Sequence, residues 1–249
     1  MSSVPSILQA DWSVPAGVHA VCTTRLGGVS RGAYASFNLG MHVGDDPQAV
    51  TCNRERLRSM LALEVEPCWL VQVHGNRLVQ ALPQNQGQQA DGSYATAAGQ
   101  VCCVMTADCL PVVLYNPEAG RLAVVHAGWR GLAAGIVEKA LPLIGGTEAG
   151  HAAVVAWLGP AIGPQRFEVG PDVVDTFVDL SAQHAAAFHQ VSEHKWMADL
   201  YILARQKLAA RGVTRVYGGD YCTMSDERLF YSYRRDRVTG RMATLAWLT

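Results

Sequence analysis

Three short apolar, β-prone runs, at 68–73, 101–105 and 122–125, each give way to Gly, Asp or Pro, and each hands over at a side chain able to ligate a metal. The junctions read Gln72-Val73-His74-Gly75, Thr106-Ala107-Asp108-Cys109-Leu110-Pro111 and His126-Ala127-Gly128-Trp129-Arg130-Gly131. Each ligand-type side chain therefore belongs at a strand end, and strand ends that converge make a site. A lone His beside an apolar strand is ordinarily a hydrogen-bonded core or surface residue, and a Cys there a small hydrophobe. The same context occurring three times points beyond those readings.

Spacing narrows the chemistry. The intervals from His74 to Cys109 and from Cys109 to His126 are far too long for the paired ligands of a zinc finger. Three ligands from three separate segments, with no fourth close by, is the arrangement of a catalytic zinc whose remaining position takes water or substrate. His₂Cys suits zinc and copper alike. Without a metal, Cys109 with His126 or His74 reads as a thiolate–imidazole pair, an activated nucleophile. A non-catalytic metal carrier would use the same ligands but has no use for the Gly-rich loops and arginines around them.

A chain of 249 residues with 49% apolar content is long enough for one large core, and we expect one domain over 1–249. Net charge is −1, so no basic face is expected to hold nucleic acid. Seven scattered cysteines, an odd number, need no disulfide framework. The N-terminal residues lack a basic stretch followed by an apolar one, and no run approaches the roughly 18 apolar residues of a membrane span. A reduced, cytoplasmic protein without a membrane partner is the expectation. No oligomeric state follows, and a monomer is compatible with everything above.

Periodicity predicts strands at 17–24, 68–73, 77–82, 101–105, 111–115, 121–126, 154–158, 213–217, 228–233 and 241–248. Helices are predicted at 46–63, begun by Asp46-Pro47 with Val50, Leu57, Met60 and Leu61 on one face, and at 132–143, 171–188 and 197–211. The last is amphipathic through Leu200, Ile202, Leu203 and Leu208 and ends at Gly212. Strand-rich stretches with helices collected between them suggest α+β rather than regular βαβ alternation.

Other residues carry chemistry in their contexts. Arg25 lies in the Gly-rich loop 25–32, Arg130 two residues past Gly128, and Arg234 beside Arg235 after an aromatic run; guanidinium forks suit phosphate or carboxylate, although each alone is as readily a solvated residue. His42 sits in a Gly-flanked loop with no structural duty of its own. Asp108, beside Cys109, is a candidate acid/base, with a turn-forming role as the alternative. Gly159-Pro160-Ala161-Ile162-Gly163-Pro164 could form a rigid loop against a ligand or simply a turn. His184, His189 and His194 share no helix face and read as surface, and Cys102-Cys103 as packing on opposite faces of a strand.

Together with Thr23-Thr24-Arg25-Leu26-Gly27-Gly28-Val29-Ser30, Ser36-Phe37-Asn38-Leu39-Gly40 and Phe230-Tyr231-Ser232-Tyr233-Arg234-Arg235-Asp236, these motifs closely resemble the bacterial YfiH/PgeF family, and the resemblance spans essentially the whole chain. It implies a single α+β domain of mixed sheets packed together and flanked by helices. It implies a zinc or copper ion on His74, Cys109 and His126; from their own contexts Arg25, Arg130 and Arg234 are candidates to hold phosphate, and Asn38 and His42 are further candidates for the substrate and phosphate site. It also implies phosphorolysis of adenosine, inosine and methylthioadenosine, with phosphate as co-substrate, and deamination of adenosine. Some relatives have instead been assigned to peptidoglycan editing, an amide hydrolysis that removes a misincorporated serine, and others have been called polyphenol oxidases or laccase-domain proteins.

The residues weigh these against each other. A multicopper oxidase needs many imidazoles, whereas this chain has eight His and no His-x-His pair, and no axial Met or proximal His follows Cys109. The oxidase reading is the weakest. The His-x-Glu with Pro-Cys-x-x-Cys signature of nucleobase deaminases is also absent, so deamination here requires a different scaffold.

Overall fold

The computed structural model describes residues 6–145 and 148–249. In chain order the strands are β1 (Ile7–Gln9), β2 (Val18–Thr23), β3 (Leu78–Gln80), β4 (Gly92–Ala95), β5 (Cys102–Thr106), β6 (Leu110–Asn116), β7 (Arg121–Ala127), β8 (Val155–Leu158), β9 (Glu168–Val169), β10 (Phe188–Ser192), β11 (Lys195–Ala198), β12 (Arg215–Gly218) and β13 (Met242–Leu248). The helices are α1 (Pro47–Met60), α2 (Trp129–Ala133), α3 (Ile136–Leu143), α4 (Pro171–Leu180), α5 (Leu200–Ala209) and α6 (Tyr233–Asp236). The fold is α+β. A mixed six-stranded sheet runs β12-β8-β6-β7-β4-β3, an antiparallel four-stranded sheet runs β1-β2-β13-β5, and a small antiparallel sheet runs β10-β11-β9.

Alternation along the strands sets the layers. Val113, Tyr115, Leu122 and Val124 of the large sheet face Cys102, Val104, Met242 and Ala246 of the four-stranded sheet. Val112, Leu114, Ala123 and Val125 point the other way, onto α2, α3, α4 and α5. On the outer face of the four-stranded sheet, Cys103, Met105, Leu245 and Trp247 pack with Leu57 of α1 and with Phe37, Leu39 and Trp69. Strands buried on both faces read as continuous apolar runs, which is why β5, β6 and β7 are legible. Cys102 and Cys103 do lie in different cores.

Local chemistry explains the helix boundaries. Asp46 caps α1 by accepting from the Gln48 N–H at 2.9 Å, with Pro47 in the first turn. Val50, Asn53 and Leu57 form its buried face, whereas Met60 is exposed. The last long helix begins three residues later than its apolar periodicity suggests, because Asp199 accepts from the Ile202 N–H and Met197 and Ala198 are extended in β11. The helix expected over 171–188 stops at Leu180; Ser181 is extended, and a 3₁₀ turn leads into the β10–β11 hairpin. That hairpin is largely exposed and lacks the apolar alternation that would mark it.

Two expected strands are absent. Segment 68–73 makes only isolated bridges, Cys68 with Cys102 and Val71 with Gln89. Its Gln72 replaces a ladder rung: Nε2 donates to the Met105 carbonyl at 2.8 Å while Oε1 accepts from the Met105 N–H at 2.7 Å. Segment 228–233 is irregular; Phe230 and Tyr231 are wholly buried in the core shared by the two larger sheets, and Ser232 caps α6. Aromatic burial there comes from packing, not pairing. His184 is also not a surface residue: it is buried, with Nδ1 at 2.8 Å from Gln206 Oε1 and its ring edge-on to Phe177.

Candidate metal centre

Topology brings the three ligand-type residues together. β6 pairs with β7 so that Pro111 lies opposite His126, which sets Cys109, just before β6, beside the end of β7. His74 approaches from the loop before β3 in a left-handed conformation, φ 60°. The ligand atoms of His74, Cys109 and His126 all lie within 4.8 Å of one another. His126 is buried, Cys109 half-buried and His74 exposed, so the cluster opens to solvent on one side. The two imidazoles meet edge to face with centroids 4.8 Å apart.

One carboxylate organises both histidines. Asp91, wholly buried just before β4, accepts the backbone N–H groups of Val73 (3.2 Å), His74 (2.8 Å) and Gly75 (2.7 Å). Successive N–H groups around a left-handed residue form a concave anion nest, which accounts for the unusual φ of His74. The same carboxylate lies 2.9 Å from His126 Nδ1, and the Asp91 carbonyl accepts the His126 N–H at 2.7 Å. Burial alone would raise the Asp91 pKa; the hydrogen bonds from His126 and from the Gly75 and Val73 N–H groups outweigh it and hold the carboxyl below its ordinary value.

Asp108 occupies the turn between β5 and Cys109 with φ 90°. Its Oδ1 accepts from the Thr223 hydroxyl at 2.6 Å, and its Oδ2 from the Ser232 hydroxyl at 3.0 Å and the Arg234 N–H at 2.7 Å. Its carbonyl accepts the Ile162 N–H at 2.9 Å. The geometry is that of the turn-forming alternative: the carboxylate holds the segment that presents Cys109. Gly128 closes the cluster from behind. A Cβ there would stand 3.0 Å from Cys109 Sγ and 3.3 Å from the His74 ring, so only glycine leaves the ligands their room.

Burial would raise the Cys109 thiol, but His126 first and His74 second bring it down to about 6. Burial likewise opposes protonation of His126, whereas the Cys109 thiolate and then Asp91 push it up to about 9. Both shifts favour a thiolate–imidazolium pair when no metal is bound. A cation can take the imidazolium proton's place: with Nδ1–H given to Asp91, His126 Nε2 keeps a lone pair free for a metal beside Cys109, the carboxylate–histidine arrangement common behind zinc. Two imidazole nitrogens and one thiolate on an open-sided cluster fit a metal ion and leave a position free. Among the described residues, this is the one group of three or more ligand-type side chains so disposed.

Two cavities meet at the cluster and share His74, Ala107, Cys109 and Tyr233. The first, about 180 Å³, is walled by Trp129, Ile162, Phe167 and Leu200 and carries Asp108, Arg130 and Arg234. The second, about 400 Å³, is lined by His42, Gln72, Met105, Thr106, His126 and Arg241. Thus Arg130, Arg234, His42 and Asp108 reach the site. Ile162 brings the Gly/Pro loop to it as well.

Arg25 and Asn38 do not. Arg25 donates to the Ala35 and Glu227 carbonyls and lies over the Tyr231 ring. Asn38 is wholly buried, bonded to Gly40, Asp45 and the Arg241 N–H. Both brace loops, and neither lines the two cavities. Sequence reading missed Asp91 and Arg241. Asp91 lies before a four-residue strand with no flanking motif. Arg241 follows Thr239-Gly240 at the start of the last strand, where an arginine looks like a solvated edge.

Residues 19–249 match the family model described as multi-copper polyphenol oxidoreductase laccase. The chain is 49% identical to a purine nucleoside phosphorylase of Pseudomonas aeruginosa, over 97% of this chain and 98% of the relative. It is 46% identical to the purine nucleoside phosphorylase YfiH of Shigella flexneri, with the same shares covered. Among solved structures, a Neisseria meningitidis protein of the DUF152 family superposes with a TM-score of 0.93 at 44% identity, covering 98% of this chain and 99% of that one. YlmD from Geobacillus stearothermophilus gives 0.88 at 34% identity, covering 94% and 92%. With a matching model over nearly its full length and relatives this similar throughout, the chain belongs to the YfiH family, the laccase-like polyphenol oxidoreductase family of that model.

Proposed function

We propose that this protein is a metal-dependent purine nucleoside enzyme, carrying out phosphorolysis of adenosine, inosine and methylthioadenosine and hydrolytic deamination of adenosine. The observation that carries this reading is the position of the His74, Cys109 and His126 cluster at the junction of an aromatic cavity and a cationic one. Relatives covered almost end to end bear the name purine nucleoside phosphorylase. A laccase-type reaction is disfavoured by ligand supply, since among the described residues one cluster of metal-ligating residues is present.

In phosphorolysis a phosphate oxygen bonds to C1′ as the C1′–N9 bond breaks; the purine leaves with the electron pair and takes up a proton, giving base and sugar 1-phosphate. In deamination a water oxygen bonds to C6 and ammonia departs, turning adenosine to inosine. His74, Cys109 and His126 would hold zinc or copper, which when bound supplies Lewis acidity at the junction. Trp129 and Phe167 offer faces for the purine, and Arg130, stacked 4.3 Å from the Trp129 ring, and Arg234, 5.3 Å from that of Phe167, edge that cavity. Asp91 keeps the His126 donor atom turned inward, and Asp108 fixes the turn behind Cys109.

The test is metal analysis of the purified protein together with chromatography of adenosine incubated with and without phosphate, beside Cys109→Ala. Adenine formed only with phosphate, or inosine formed without it, and neither by the variant, is the expected result. A metal-loaded protein inert toward both would overturn the reading. One observation favours a second one: Cys109, His126 and Asp91 stand as nucleophile, base and orienting carboxylate. Such a triad suits amide hydrolysis of a muropeptide. Activity that survives complete chelation would select it.

A further inference from the structure

The two cavities differ in charge. Asp108 is among the residues that line the aromatic one, where Arg234 donates Nη1 to the Glu168 carbonyl at 2.8 Å and lies over the Phe167 ring, and Arg130 stacks on Trp129. No Asp or Glu lines the other cavity, nor the adjoining one that shares His42, Gln72 and Met105 with it and adds Arg54. Arg241 is half-buried there. Its Nη1 donates to the Thr239 and Gly240 carbonyls, both at 3.0 Å, while Nε and Nη2 make no hydrogen bond and no carboxylate pairs with it among the described residues. Gly40 makes room for its stem, since a Cβ there would stand 2.9 Å from Arg241 Cγ.

A guanidinium withdrawn from water without a carboxylate partner is costly unless a ligand completes it. Burial lowers the Arg241 pKa. His42 in the same wall is lowered by burial and then by Arg241 and Arg54, so the wall is cationic without counting the imidazole. Thr106, whose hydroxyl is buried without a partner among the described residues, lines the same cavity. Arg54, by contrast, spends Nε and Nη2 on the Leu39 carbonyl and stacks on Trp69. Of the two guanidiniums in the acid-free wall, Arg241 is the one whose Nε and Nη2 edge makes no hydrogen bond among the described residues.

We propose that the acid-free cavity is the phosphate subsite, with Arg241 as its anchoring residue and His42 and Thr106 beside it. This rests on the phosphorylase reading above and deepens it: the phosphate approaches from the Arg241 side while the nucleoside occupies the Trp129 and Phe167 side. The two co-substrates then meet at the junction by Cys109 that both cavities share. Arg25, Arg130 and Arg234, the arginines the sequence brought forward for phosphate, are not its anchors.

The test uses the intact metal-loaded protein. Inorganic phosphate binding is measured by calorimetry, and the phosphate and inosine KM values are measured separately, for wild type, Arg241→Gln, Arg241→Lys and Arg130→Ala, with metal content and thermal melting as fold controls. Loss of a charge-assisted contact is expected to raise the phosphate KM of Arg241→Gln about ten- to a hundred-fold, with the inosine KM shifted less than about three-fold and partial recovery in Arg241→Lys. Arg130→Ala is expected to raise the inosine KM and leave that for phosphate in place. Equal phosphate affinity in wild type and a folded Arg241→Gln, or wild type that binds no phosphate, would overturn the subsite. If Arg241→Gln does not fold, Arg241→Lys decides by the same split. A wild type that turns over no nucleoside yet binds phosphate through Arg241 would sink the phosphorylase reading and leave the anion site standing.

Discussion

Asp91 and Asp108 are two buried aspartates on either side of one cysteine–histidine cluster, and their partners set them apart. Asp91 faces the ligands: it gathers three backbone N–H groups around His74 and lies against His126 Nδ1. Asp108 faces away, toward Thr223, Ser232 and the Arg234 N–H, and secures a turn. Adjacency to Cys109 in sequence made Asp108 the natural candidate for chemistry. The carboxylate that reaches a ligand atom is the one with no ligand-type neighbour in the chain. What matters is which donors the fold points at a carboxylate, not what stands next to it.

The largest effect that could break this comparison is expected from Asp91→Ala. It strands the three N–H groups of the 73–75 nest and unpairs buried His126, and should cost about 3–5 kcal/mol in denaturant unfolding along with metal binding. A variant as stable and metal-loaded as wild type would refute the organising role. Asp91→Asn keeps the shape and an acceptor; metal affinity, measured by competition with a chromogenic chelator, should fall about ten- to a hundred-fold. Asp108→Asn sharpens the contrast. We expect a stability loss of about 1–3 kcal/mol with metal affinity within about three-fold of wild type; a metal loss equal to that of Asp91→Asn would erase the distinction.

Gly128→Ala tests the ligand room directly. Its methyl, 3.0 Å from Cys109 Sγ, should weaken metal binding measurably while the melting temperature moves by only a few degrees. The smallest effect concerns acid, in metal-free protein. The folded Asp91 carboxyl lies below its unfolded value, so the unfolded chain binds the proton first, and stability present above about pH 5 is lost as pH falls through the folded value. Asp91→Asn should show a shallower loss between about pH 5 and 3 in urea unfolding; an identical slope would mean that other carboxyls carry it.

Legibility followed burial. β5, β6 and β7 were readable because strands covered on both faces are apolar throughout, and the cap of α1 was readable because Asp46-Pro47 is local chemistry. The β10–β11 hairpin was not, being exposed and without apolar alternation. Segments 68–73 and 228–233 looked like strands for want of a way to know that Gln72 would use its side chain as a rung, or that Phe230 and Tyr231 would be buried by packing alone. Around the cluster, Arg130, Arg234 and His42 line the cavities, whereas Arg25 and Asn38 are spent on bracing.

By itself the sequence determined the ingredients: three ligand-type residues at the ends of apolar runs, glycines where the chain must turn beside them, a near-neutral charge, and motifs that mark the family. Those are properties of single residues and their neighbours, and short-range sterics and burial preference write them into the chain. Only the tertiary structure decided that Asp91 binds both the 73–75 loop and His126, that Asp108 looks away, and that Arg241 reaches a cavity without acids. Hydrogen bonds and Coulomb interactions act over a few ångströms of space, and sheet pairing sets which residues distant in sequence come within that reach.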